Sequence, residues 1–160
     1  YEVSMLLIEH GADVNGRDGS GTTPLMEAAG FYHYPELVDY LLKKGADVNA
    51  RDHYGRAAIH QAAHADETDI LKKLLSRGAK VDVADSDGNQ PLHEAALWSH
   101  LEAAKLLVQH GADVDAKNKE GHTTWEEALS YGNDEAHQKT YQFLAGHSRI
   151  LCAGSAPSGR

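Results

Sequence analysis

Apolar residues recur at helical spacing in three separate stretches: Leu37, Val38, Leu41 and Leu42; Ile70, Leu71, Leu74 and Leu75; Ala103, Ala104, Leu106 and Leu107. Residues three and four apart share one face of a helix, so each stretch predicts a helix with one buried stripe. The stretches stop at Gly45, Gly78 and Gly111, residues suited to the left-handed position just past a helix end. Lys44 and Arg77 immediately precede two of those glycines and place cations at the negative end of the helix dipole. The polar, turn-rich stretches that follow, such as Asn49-Ala50-Arg51-Asp52-His53-Tyr54-Gly55, predict projecting hairpin-like fingers. Between finger and apolar stretch lies a short segment with a small pair, Ala28-Ala29, Ala62-Ala63 or Ala95-Ala96, which predicts a helix packed closely on its neighbours.

The stops carry a repeated phrase: Gly11-Ala12-Asp13-Val14-Asn15, Gly45-Ala46-Asp47-Val48-Asn49, Gly78-Ala79-Lys80-Val81-Asp82 and Gly111-Ala112-Asp113-Val114-Asp115, with glycines 34, 33 and 33 residues apart. A second phrase keeps step. It opens Gly21-Thr22-Thr23-Pro24-Leu25, Gly55-Arg56-Ala57-Ala58-Ile59, Gly88-Asn89-Gln90-Pro91-Leu92 and Gly121-His122-Thr123-Thr124-Trp125. A fixed period of this size predicts a stacked array of helix pairs, in which neighbouring units supply the core that none can build alone.

Thr23-Pro24-Leu25, Pro91-Leu92-His93, the alanine pairs and the Gly-Ala-Asp-Val-Asn phrases resemble the ankyrin repeat family, over about residues 1–145. The resemblance implies an all-α solenoid of helix-turn-helix units with β-hairpin-like fingers at right angles. The expected organisation is a half repeat over 1–17, repeats over about 18–51, 52–84 and 85–117, and a capping repeat over about 118–145. Residues 146–160 are small and breaker-rich and are expected to form a flexible tail. The half repeat, together with a start at Tyr1, suggests a piece of a longer chain with further repeats upstream. Two units depart from the pattern. Ala57-Ala58 replaces Thr-Pro, removing a cap worth about 1 kcal/mol and making that unit the expected soft point. In the last unit Thr124 stands where proline is usual, and Asp134, Glu135, Gln138, Lys139 and Gln142 give its second helix the polar face of a terminal cap.

Charge narrows the partners. The 160 residues carry 15 Lys+Arg against 24 Asp+Glu, a net charge of −9, which disfavours nucleic acid. The single Cys152 excludes an internal disulfide and points to an intracellular setting, cytoplasm or nucleus. No apolar run reaches the roughly 18 residues of a membrane span, so no membrane insertion is expected.

Nothing in the motifs points to an enzyme or a cofactor. The nucleotide-binding and nucleophile-elbow signatures are absent. Glu126 and Glu127 are consecutive and so point about 100° apart on a helix. His60 and His64 have the four-residue spacing of two zinc ligands, but Gln61-Ala62-Ala63 between them supplies no catalytic acid. His60 and His93 occupy a position where the family resemblance implies bonds to neighbouring backbone, and no metal site is assigned.

Aligning the first helices puts Glu27, Gln61, Glu94 and Glu127 in one row, with Phe31, Ala65, Trp98 and Tyr131 four places on. In the family this face is the concave wall of a groove. The expected recognition surface comprises these eight residues with Tyr32 and Leu97, and finger residues Arg51, His53, Tyr54 and Arg56. Ala65 would leave a notch between aromatic walls. The aromatics have a second reading, packing against the next unit or its finger. Arg17, Arg51 and Lys117 occupy equivalent finger positions, a broken basic row. The resulting expectation is a non-catalytic protein-interaction module, monomeric, binding a basic segment with an apolar anchor. The alternative is a recruiting or targeting arm of a larger protein: a ubiquitin-ligase adaptor, a secreted effector or an enzyme. Asn15 and Asn49, eight residues after Leu7 and Leu41, also match settings that are hydroxylated in ankyrin-like proteins. Against that, such asparagines stabilise the turn through side-chain-to-backbone bonds.

Overall fold

The computed structural model describes residues 2–30, 34–130, 132 and 134–153. Phe31, Tyr32 and Tyr131, three of the expected site residues, lie outside them. Among the described residues the chain forms ten helices: α1 (Glu2–Glu9), α2 (Pro24–Gly30), α3 (Pro35–Lys43), α4 (Ala58–His64), α5 (Thr68–Ser76), α6 (Pro91–Leu97), α7 (Leu101–Gln109), α8 (Thr124–Ser130), α9 (Glu135–His147) and α10 (Arg149–Ala153). They stack in two layers. Helices α2, α4, α6 and α8 pack side by side in one; α3, α5, α7 and α9 pack in the other. The core lies between them, where Val38, Leu41, Ile59, Ile70, Leu71, Leu74, Leu92 and Leu107 are fully buried.

The alanine pairs set the spacing of the inner layer. Ala28-Ala29, Ala62-Ala63 and Ala95-Ala96 are all buried. Gly30 shows how close the approach is: a Cβ there would lie 2.9 Å from Gln61 Cβ. The outer helices end as the sequence predicts. Gly45 takes φ +91°, its N–H bonds to the Leu42 carbonyl, and the Ala46 N–H reaches back to the Leu41 carbonyl at 3.0 Å.

Helix starts differ from unit to unit. Thr23 Oγ1 accepts the Met26 N–H at 3.4 Å ahead of Pro24. In α4, where Thr-Pro is lost, His60 Nδ1 accepts the Ala57 N–H at 3.1 Å, so part of the missing cap is replaced from inside the helix. Helix α8 has a reciprocal box. Thr123 Oγ1 accepts the Glu126 N–H at 3.4 Å, and Glu126 Oε2 accepts the Thr123 N–H at 2.7 Å. That N–H does most to hold the Glu126 carboxyl below its usual range.

The fingers are laced by one device used four times. Asp18 Oδ1 accepts from the N–H groups of Ser20 and Thr22, Asp52 Oδ1 from those of Tyr54 and Arg56, Asp85 Oδ1 from those of Asp87 and Asn89, and Asn118 Oδ1 from those of Glu120 and His122. Backbone bonds join one fingertip to the next: His53 N–H to Ser20 O, Ser86 N–H to Tyr54 O, Lys119 N–H to Asp87 O.

The C-terminal segment departs from expectation. Residues after Gly146 do not begin a flexible tail: α9 runs to His147 and α10 follows. Ser148 Oγ donates to Asp115 Oδ1 at 2.6 Å and the Arg149 N–H to Asp115 Oδ2 at 2.8 Å. Composition hides this because the anchor lies 33 residues upstream. Residues 154–160 are outside the described part.

Candidate functional site

The inner-layer helices contain no lysine or arginine, whereas Lys43, Lys72, Lys73, Lys105 and Lys139 all lie in the outer layer. Several outer cations are paired locally: Lys73 with Asp39, Lys72 with Asp69, Lys105 with Glu102 and Lys139 with Glu135. The inner face is therefore left acidic.

Two hollows indent it. One, about 320 Å³, lies between α2 and α4 and the fingers above them, with Glu27, Gln61 and His64 in its wall. The other, about 400 Å³, lies between α6 and α8, with Glu94, Leu97 and Glu127 in its wall. Of the expected row, Glu27 and Gln61 line the first hollow and Glu94 and Glu127 the second. Between the hollows His64 Nδ1 meets Glu94 Oε2 at 3.0 Å, and the His64 ring stands edge-on to Trp98 at 5.1 Å.

Of the second row, Phe31 and Tyr131 lie outside the described residues. Helices α4 and α6 end at His64 and Leu97, so Ala65 and Trp98 are cap residues just beyond them. The side chain facing Trp98 from α4 is His64, while Ala65 is half-buried; the other wall of the expected notch, Phe31, lies outside the described residues. Trp98 remains 53% exposed. His64 entered the sequence reading only as a zinc candidate; its place three residues after Gln61, on the same face, was the signal for its groove position.

Glu127 is not the free carboxylate the row implied. It is buried, and its Oε1 accepts from Asn118 Nδ2 at 2.8 Å with His122 Nδ1 at 3.3 Å. Arg51 is likewise engaged: Nε donates to Gly55 O and Nη2 to Ala84 O on the next finger. Arg17 Nη1 donates to Arg51 O at 2.6 Å. These arginines therefore brace the fingers. His53 packs its ring edge against Gly21. Tyr54 is 54% exposed, with the Arg56 guanidinium 5.6 Å from its ring centre.

Asn15 and Asn49 use both ends of their amides. Asn15 Nδ2 donates to Gly45 O and its Oδ1 accepts the Asp47 N–H; Asn49 repeats this with Gly78 O and the Lys80 N–H. Each staples one unit to the next.

The histidine pair cannot act as two ligands, because His60 uses both nitrogens: Nδ1 for the Ala57 N–H and Nε2 for Asn89 O at 3.1 Å. Burial pushes the His60 and His93 imidazoles below their usual range, so both sit neutral in the core. No group of three or more candidate metal ligands occurs among the described residues. No described helix is long and apolar enough to cross a membrane.

Family models of ankyrin repeats match residues 7–60, 34–118 and 59–148. The chain belongs to the ankyrin repeat family. No curated protein matches it. Ankyrin repeats are in general protein–protein interaction modules and typically non-catalytic. In this ankyrin array the inner face is acidic and indented, and among the described residues it carries the exposed Trp98.

Proposed function

We propose that this array recognises another protein through its inner groove, taking a basic segment with an apolar anchor. The observation that carries the reading is Trp98, half exposed beside His64 and Leu97 in a face whose helices carry carboxylates and, among the described residues, no lysine or arginine. Exposed tryptophan is costly to leave in water and is favoured as an interface anchor. The acid row would speed association with a basic partner and make it salt-sensitive. Tyr54 and Arg56 extend the surface onto the fingers.

Capture from a lysate of the chain's own cells, followed by association rates at two salt concentrations, tests this. Glu94→Lys should slow association and flatten its salt dependence, while Trp98→Ala should speed dissociation. Unchanged kinetics in both variants would refute the reading.

A further inference from the structure

The two hollows have a fixed separation, and the acid in each is unbalanced. The hollow between α2 and α4 presents Asp18, Glu27 and Asp52 against Arg56. The hollow between α6 and α8 presents Asp87, Glu94 and Glu120 against Lys119 and His122, with Glu127 buried behind them on Asn118 and His122. Between them the His64–Glu94 bond closes the face, and Trp98 stands over the closure.

The second hollow holds an unmet polar group as well. His93 lines it, is 2% exposed, and accepts the Gln90 N–H at Nδ1, so its proton sits on Nε2. The His122 and Ala116 carbonyls lie near enough to favour that proton, yet neither completes a hydrogen bond, and Nε2 has no partner among the described residues. The equivalent His60 nitrogen does have one, Asn89 O.

We infer that the groove takes an extended peptide carrying two cationic side chains, one for each hollow, separated by about five or six residues with an apolar residue between them for Trp98. The hollows lie two helix-to-helix steps apart. At roughly 8–10 Å per step this is about 16–20 Å, which an extended chain spans in about five or six residues at about 3.3 Å each. A helical partner would need about twice as many residues over that distance. The inference rests on the groove reading above and adds conformation and register to it.

The probe is a set of synthetic Gly/Ser peptides, each with a central leucine and two arginines, titrated calorimetrically against the whole chain. Separations of about two, five or six, and nine residues bracket the span. The matched peptide should bind at least about tenfold tighter than the other two, a difference of about 1.4 kcal/mol. Glu27→Gln should reduce it to the affinity of the matched peptide with one arginine replaced by alanine, and Asp87→Asn, at an exposed acid of the second hollow, should do the same. Affinity independent of spacing, yet weakened by Trp98→Ala, overturns the register and spares the groove reading. Binding untouched by Trp98→Ala overturns both, as does failure of every peptide to bind.

Discussion

His64 and Glu94 meet across the inner helix layer, Nδ1 to Oε2 at 3.0 Å, and this contact divides the groove into its two hollows. The same imidazole stands 5.1 Å from Trp98. A ring packed edge-on to an indole at that distance sets the environment of its emission. His64→Ala should therefore shift the emission of Trp98 while leaving that of Trp125 in place. An emission spectrum identical in the variant would show that the contact does not form in solution.

The two buried histidines make the fold acid-sensitive. His60 and His93 are held below the ordinary 6.5 by burial. The unfolded chain therefore binds these protons first, and their contribution is complete above about pH 6.5 and lost as pH falls through the lower folded-state values. Each contributes a slope of up to about 1.4 kcal/mol per pH unit over that window. Denaturant midpoints at pH 7.5 and 5.5 should separate clearly in the native chain and less in His60→Gln. Carboxylates such as Asp18 and Asp134, held low by backbone N–H groups, add a second loss at more acid pH.

One staple is absent from the ladder of turns. Where Asn15 and Asn49 bridge to the next unit, the next position in the series is Asp82, which cannot donate to a carbonyl. Asp82→Asn should supply a bond to Gly111 O. The expected gain is about 1 kcal/mol in denaturant unfolding. A lower midpoint would contradict the staple account.

Ser99 is a second point of strain. It sits at φ +60° just past α6, and its Oγ is buried with no partner among the described residues. Ser99→Gly removes both problems and should stabilise by about 1 kcal/mol. Asp66, at φ +55° but exposed, should gain less from the same change. Equal effects at the two sites would mean that the buried hydroxyl costs nothing.

The period was legible because Gly45, Gly78 and Gly111 each end a helix and cannot be moved without losing the stack. The placing of Glu27, Gln61 and Glu94 on inner helices was legible for the same reason, since the period fixes the register of those helices. Of the aromatic row, Phe31 and Tyr131 lie outside the described residues, and the other two positions fall past helix ends. Helices α4 and α6 stop one residue short of Ala65 and Trp98, so His64 faces the tryptophan. The burial of Glu127 was not legible, since it depends on Asn118 standing where earlier fingers have aspartate; only an amide can donate to that carboxylate. The docked C-terminal helix was hidden for a related reason. Its anchor, Asp115, looks like one more turn residue until Ser148 and Arg149 supply two donors for its two oxygens.

The central claim is that the inner groove, through Trp98, is where this array meets its partner. The most direct test is the dissociation constant of a captured partner for Trp98→Ala and for Ile150→Ala, an equally exposed apolar residue on α10. The account predicts that Trp98→Ala weakens binding by about tenfold or more and that Ile150→Ala leaves it unchanged. The reverse order, or equal affinities for both variants and the native chain, would contradict it.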